Sequence, residues 1–212
     1  MRTRVILALV AALMLVISTV AIGSNMGFKI VIPLGAGITK YVSLPYYCSL
    51  DGVAIEGGTA TAANLRNDIM AAGGSSVSVY SWGGTTWQRY SGGGFGQVNF
   101  GLQPGNAYQV ITASGINWVV VGSHNPSLTL QVQAGVTKYV SLPYHTTETT
   151  AATLRNEMIA AGGSSVSVYR WDGATWQRYS GGGFGQVNFG LTPGEGYQVI
   201  SASAENWTPM HY

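Results

Sequence analysis

The sequence predicts an α+β fold that is mostly β: two tandem copies of a small antiparallel β-sheet or barrel-like module, each with one short helix. Three observations predict it. Residues 65–118 and 154–207 spell nearly the same text without a gap, differing at about a dozen of about fifty positions, so the chain is a duplication with a period near 90 residues. Charged residues are only 8 % of the chain while it carries six Trp and twelve Tyr, a composition that folds rather than staying disordered. Short β-branched and aromatic runs are punctuated throughout by Gly and Pro. The repeat divides the 212 residues into a leader (1–23), module 1 (24–122) and module 2 (123–212), each module large enough for a modest core.

The leader reads as a bacterial-type secretory signal peptide. Arg2 and Arg4 precede an uncharged apolar run from Val5 to Val20, and Ala21-Ile22-Gly23 supplies small residues for cleavage near Gly23 or Ser24. The run also approaches the length that spans a bilayer, so an uncleaved anchor is the alternative. The expected location is extracellular or on the cell surface, with membrane contact only through the leader before cleavage. Without Arg2 and Arg4, eight basic residues face eight acidic ones, and the mature chain is neutral. No basic cluster remains to release counterions, which sets nucleic acid aside as a partner. A neutral surface resists self-association only weakly.

In chain order, residues 28–32 and 41–44 read as strands joined by a Gly-containing turn, and the pair recurs at 128–133 and 139–142. Thr-Lys-Tyr-Val-Ser-Leu-Pro-Tyr closes each pair, at 39–46 and 137–144. Module 1 then carries an insertion of about nine residues with the only cysteine, Cys48, which is either buried and inert or an intermolecular partner. Leu65, Ile69 and Ala72, matched by Leu154, Met158 and Ala161, set a helical stripe that Thr residues cap and Gly-Gly stops. A hairpin follows, 77–82 with 86–90, turned by Gly83-Gly84 or by Asp172-Gly173 in the second copy. A second hairpin is expected to pair 97–102 with 108–113 across Pro104-Gly105, since Val98, Phe100 and Leu102 alternate with Gln97 and Asn99.

The order Val-Ser-Leu-Pro, short helix, Val-Tyr-x-Trp-x-Gly-x-x-Trp, then Phe-x-Leu-x-Pro-Gly-x-x-Tyr-x-Val resembles a β-rich tandem repeat module of bacterial secreted and cell-surface proteins. The resemblance covers nearly all of the mature chain. Its motifs are turn and core residues, so it implies fold and location and carries over no catalytic residue. Copy one departs from it with Asn106-Ala107 where copy two has Glu195-Gly196.

Chemistry is sparse. Ser-Gly-Gly-Gly-Phe-Gly-Gln, at 91–97 and 180–186, lacks the wording of a phosphate or dinucleotide loop and sits between strands, so it reads as a flexible hairpin loop or bulge. His124, His145 and His211 are scattered, and a single Cys excludes Cys-based zinc sites. Duplicated Ser residues without a duplicated His give no triad. Asp68 and Glu157 beside Arg66 and Arg155 read as a solvated helix face. No catalytic residue, metal or cofactor is expected, and the chain is expected not to be an enzyme.

The candidate site residues are therefore of two kinds. Tyr80, Trp82, Trp87 and Tyr90, with Tyr169, Trp171, Trp176 and Tyr179, crowd one hairpin in each copy as core, as an interface or as a glycan-binding face. Phe28, Ile30 and Ile32 form a candidate assembly strand, because the segment that copy one hands to copy two has its counterpart at the mature N-terminus. The leading expectation is a secreted structural protein that self-assembles into an extracellular filament or matrix through head-to-tail β-strand contacts. The alternative is an extracellular binding module for polysaccharide or cell-surface adhesion.

Overall fold

The computed structural model describes residues 27–123, 125 and 127–211. The leader, and with it the expected cleavage site, lies outside the described residues. Module 1 comprises β1 (Phe28–Leu34), β2 (Lys40–Ser43), β3 (Tyr47–Leu50), β4 (Val53–Ala54), α1 (Ala62–Ala71), β5 (Ser78–Trp82), β6 (Trp87–Tyr90), β7 (Ala107–Ile111) and β8 (Ile116–Ser123). Module 2 comprises β9 (Leu130–Val132), β10 (Lys138–Ser141), α2 (Ala151–Ala160), β11 (Ser167–Trp171), β12 (Trp176–Tyr179), β13 (Gly196–Ile200) and β14 (Glu205–Trp207). All the strand ladders are antiparallel. Each module is thus mostly β with one helix.

Each copy builds two sheets. One runs β2-β7-β5-β6, repeated as β10-β13-β11-β12; the other pairs the first strand of the module with its last, β1 with β8 and β9 with β14. The first two strands of each module are therefore neighbours in sequence and members of different sheets. The turn at 35–39 passes β1 across the core to β2 rather than folding the two into a ladder. β1 shows the period-2 signature of a half-buried strand, with Phe28, Ile30, Ile32 and Leu34 inward and Lys29, Val31 and Pro33 outward. Two separate apolar cores result, one holding Ile32, Leu65, Ile69, Val79 and Trp118, the other Leu154, Met158, Val168, Tyr197 and Trp207.

Each helix is short and leans on a sheet, as a ten-residue segment must. Thr61 begins α1, its N–H donating to Asn64 Oδ1 at 2.9 Å, and Thr150 begins α2, its hydroxyl accepting from Thr153 N at 3.3 Å. The segment 97–102, expected as a strand, is instead a support for the helix start. Phe100 O accepts from Ala62 N at 2.9 Å and Asn99 Oδ1 from Ala63 N at 2.8 Å. The free N–H groups of the first helical turn thus capture a backbone carbonyl that a hairpin would have used, with the Asn99 side chain as a second acceptor beside it. Phe100 and Leu102 are buried while Val98 is exposed. Module 2 repeats the arrangement, with Phe189 O on Ala151 N and Asn188 Oδ1 on Ala152 N, both at 2.9 Å.

The insertion in module 1 folds as the β3–β4 hairpin and extends the first sheet to β1-β8-β3-β4. Cys48 faces Gly122 in the ladder, and a Cβ on Gly122 would run into Tyr47 O and the Pro45 ring. Close approach of the backbones demands glycine here. Cys48 is buried, and burial followed by the nearby Glu56 and Asp68 pushes its thiol up to about 12. It is expected to resist thiol reagents in the native protein and to react at the rate of opening. Gly122→Ala is expected to lift the hairpin and raise the labelling rate at least about tenfold, a change read by mass spectrometry of alkylated Cys48.

Candidate functional site

Alternation along the β2-β7-β5-β6 sheet decides which side chains can meet a ligand. Val79, Tyr90 and Val110 point to the core, so Tyr41, Gln109, Tyr80 and Arg89, in register across β2, β7, β5 and β6, line the opposite face together with Trp82 and Trp87. The eight aromatics expected on one face therefore divide. Tyr90 and Tyr179 pack against the cores, Tyr80 and Tyr169 lie under Arg89 and Arg178 at 5.8 Å each, and the four Trp turn toward the other module. The period of two, applied from Trp87 to Tyr90, separates them.

The modules meet through these faces about a pseudo-two-fold axis. Tyr41 stacks on its own counterpart Tyr139 with centroids 5.2 Å apart and planes at 4°, and the hydroxyls of the counterparts Ser43 and Ser141 touch. The Tyr–Trp contacts and the backbone hydrogen bonds beside them are reciprocal. Tyr41 lies 5.0 Å from Trp176 and Tyr139 lies 5.0 Å from Trp87, while each Tyr is 6.2 Å from the Trp of its own module. Ser43 N donates to Gly194 O at 2.9 Å, and Ser141 N to Gly105 O at 2.8 Å. Gly194 sits against Ile30 and Ile32, as Gly105 does against Leu128 and Leu130. Trp82 and Trp171 extend the row beyond Trp87 and Trp176, giving a belt of six aromatic rings across the axis. Burial raises both Tyr phenols above their ordinary range, and each donates to a glutamine, Gln109 or Gln198, at 3.1 Å.

The axis also sets the β5–β6 turn of each module beside the start of the second strand of the other, leaving two matching clefts. The first, about 270 Å³, is walled by Trp82 and the Gly83-Gly84 turn and by Lys138 and Tyr139, with Asn106 and Gln133 at its polar rim. The second, about 310 Å³, is walled by Trp171 and the Asp172-Gly173 turn and by Lys40, with Arg170 and Glu195. Neither a protein-family model, nor a curated protein, nor a solved structure matches the chain. The clefts must be understood from their own chemistry.

That chemistry differs between them. Lys40 forms an ion pair with Glu195, whereas Lys138 shares its cleft with Asn106, the counterpart of Glu195, and no carboxylate lines that cleft. Burial lowers the Lys138 ammonium from its usual range. In both clefts the indole N–H of the wall Trp, Trp82 or Trp171, is buried without an acceptor.

Of the other expected sites, Phe28, Ile30 and Ile32 are paired with β8 and buried, with Phe28 stacked on Tyr144 and Ile30 and Ile32 beside Gly194 of the other module. The Gly-rich loops are ordered by one glutamine each: Gln97 Oε1 accepts from Ser91 N at 2.7 Å and Gly93 N at 3.2 Å, and Gln186 does the same in module 2. Their tips carry Phe95 and Phe184, fully exposed. Residues 86–102 and 175–191, which contain them, are identical in the two copies. His145 lies edge-on to Phe28 and Tyr144, His211 accompanies the C-terminal segment beside Thr146, and His124 is outside the described residues. Among the described residues no group of three His, Cys, Asp or Glu is placed to hold a metal ion, and no helix is long and apolar enough to cross a membrane.

The helix-face acids are not a solvated face. Asp68 accepts from the Trp118 indole at 2.7 Å, and its counterpart Glu157 is buried and accepts from Met210 N. Glu148 and Glu205 are buried as well, and both oxygens of Glu205 lack a hydrogen-bond partner. Desolvation raises the carboxyls of Glu157 and Glu205, so the folded chain holds their protons to higher pH than the unfolded chain does. Stability is then full near the unfolded carboxylate value, about 4.3, and falls as pH rises through the raised folded values. The melting temperature is expected to be higher at pH 5 than at pH 7.5. Glu205→Ile, which installs the residue module 1 has at Ile116, is expected to add about 1–3 kcal/mol at pH 7.5 and to flatten that dependence, as read by calorimetry at the two pH values.

Proposed function

We propose that this chain is a secreted, non-enzymatic binding protein whose two seam clefts hold sugar units of extracellular polysaccharide. The observation that carries the reading is the pair of clefts at matching places, each with a Trp wall and a polar rim: amide, hydroxyl and ammonium groups at Lys138, hydroxyl and charged groups at Lys40. Indole offers a flat face with negative quadrupole to the C–H face of a pyranose ring, while the rim satisfies its hydroxyls. The clefts lie close to the lower end of the size range for small-ligand pockets, about 300 Å³, enough for one ring each. Their walls come from strands and tight turns on both sides of the axis, so the site is preorganised. Secretion rests on the leader sequence.

Retention of the mature chain on insoluble polysaccharides tests this. Thr39 and Thr137 line the rims of the two clefts. Thr39→Trp with Thr137→Trp fills both without removing a seam contact, and is expected to reduce retention at least about tenfold at unchanged melting temperature. Wild-type retention that survives the double change would place the binding surface elsewhere.

A second reading, self-assembly, is favoured by the two exposed Phe loops and by Val31, Val119 and Val121, which form an apolar strip on the outer face of β1 and β8. Continuation through β1 itself is less suited to the geometry, since Lys29 and Pro33 interrupt that edge and removing β1 takes Ile32 and Leu34 from the core. Phe95→Ser with Phe184→Ser is expected to abolish any higher species seen by light scattering and electron microscopy. Filaments that persist in that variant would exclude the loops as joints.

A further inference from the structure

The copies are identical where they present Phe95 and Phe184 and differ around the clefts. Ser81, Gly83, Asn106 and Ala107 of copy one stand opposite Arg170, Asp172, Glu195 and Gly196 of copy two. These changes alter the charge of one cleft and not the other. The cleft at Lys40 holds two cations, Lys40 and Arg170, against two carboxylates, Asp172 and Glu195, and its lysine is already paired. The cleft at Lys138 holds one cation and no carboxylate among its lining residues. Its remaining polar groups, Ser81, Asn106, Gln131, Gln133 and Thr137, are neutral. Nothing in the second strand accounts for the difference, because Thr-Lys-Tyr-Val-Ser is the same in both copies. The lysine is duplicated, and its counter-ion is not.

We infer that the Lys138 cleft takes an acidic sugar, a uronic-acid unit whose carboxylate pairs with Lys138 Nζ while its ring lies against Trp82, and that the Lys40 cleft takes a neutral unit. The selector is the residue at one position of the repeat, Asn106 against Glu195. A half-buried ammonium without a counter-ion favours an anion that enters with it, since a charge taken from water is compensated only by pairing and hydrogen bonding. Asn106 can hydrogen-bond the same carboxylate through its amide N–H, which Glu195 cannot do at the other cleft. The inference rests on the sugar-binding reading above.

The test uses the mature chain and three probes in calorimetric titration: tri-galacturonic acid, its methyl ester, and inorganic phosphate. The ester has the same ring and no charge, so it separates sugar binding from charge recognition. Wild type is expected to bind the acid at least about tenfold more tightly than the ester, a preference that shrinks with added salt. Asn106→Glu, which reproduces the pairing already present at Lys40, is expected to remove the preference for acid over ester. Glu195→Asn is expected to raise the number of acid-binding sites from one to two. Circular dichroism and melting temperature confirm that both variants keep the fold. Equal affinity of wild type for acid and ester, or an unchanged preference in Asn106→Glu, overturns the inference and leaves sugar binding standing. Phosphate that competes as tightly as the acid overturns it too, because the cleft would then recognise charge and not a sugar. Failure of both acid and ester to bind overturns the sugar-binding reading along with it.

Discussion

Everything about the arrangement of this molecule depends on a contact that each module makes with its own copy. Tyr41 stacks on Tyr139 and Ser43 meets Ser141, so four side chains at two repeat positions occupy the axis. Buried hydroxyls are tolerated there because the network closes: Ser141 Oγ donates to Leu44 O at 2.8 Å, and the Tyr46 hydroxyl donates to Ser141 O at 3.0 Å. The edge strands β2 and β10 gain backbone partners across the seam, at Gly194 O and Gly105 O, which covers edges that would otherwise stand open. The clefts are a consequence. Once the axis is fixed at residues 41 and 43, each hairpin turn must lie beside the other module's lysine.

An axis of this kind punishes symmetry at close quarters. Ala107 and Gly196 are counterparts and meet near the axis, where a Cβ on Gly196 would run into the Cβ of Ala107. One methyl fits and two do not, so the two positions are coupled and a change at either is felt at the other. The asymmetry of the insertion has a similar logic. Module 1 covers its Asp68 with the β3–β4 hairpin, where Asp51 N donates to Asp68 at 3.1 Å, and module 2, without that hairpin, covers Glu157 with the C-terminal residues around Met210. Two different pieces of chain solve one problem, the acid beneath the last tryptophan of the repeat.

Much of the module was legible in the sequence, because it is local. The period of two in β1, the Gly83-Gly84 turn, the Thr caps and the Gly-Gly stops each act over a few residues, and the structure has them where the pattern puts them. What was not legible is non-local. The alternation of Val98, Phe100 and Leu102 resembles a strand, yet their backbone is claimed by the start of a helix some forty residues earlier in the chain. The partner of β1 lies at the far end of its module, which no turn signal announces. The seam was hidden for a deeper reason. A contact between identical positions of two copies leaves no complementary pattern in the text, so Tyr41 and Ser43 read only as a repeated phrase. Lys138 was invisible for the same cause, since its distinction is an acid missing from the other module. One sign was present, the exchange of Asn106-Ala107 for Glu195-Gly196, which marks both the selector of the cleft and the tight point on the axis.

The covalent link between copies has a physical use that a dimer of separate modules lacks. In a homodimer about a true two-fold axis, a change at one cleft is a change at both, so a module with Asn at position 106 would have it twice. Joining two copies in one chain keeps the self-complementary seam, with the second module held at the high effective concentration of a short linker, and frees each side to vary alone. The seam residues Tyr41, Ser43 and their counterparts are then held fixed by geometry, whereas the rim of each cleft is not. The same closure bears on assembly. A two-fold contact uses the same surface on both partners and ends with two, so the relation between these modules supplies no operator that extends to a third. A longer array would have to be built from surfaces the axis leaves outside, and those are the Phe-tipped loops and the valine strip, placed away from the seam.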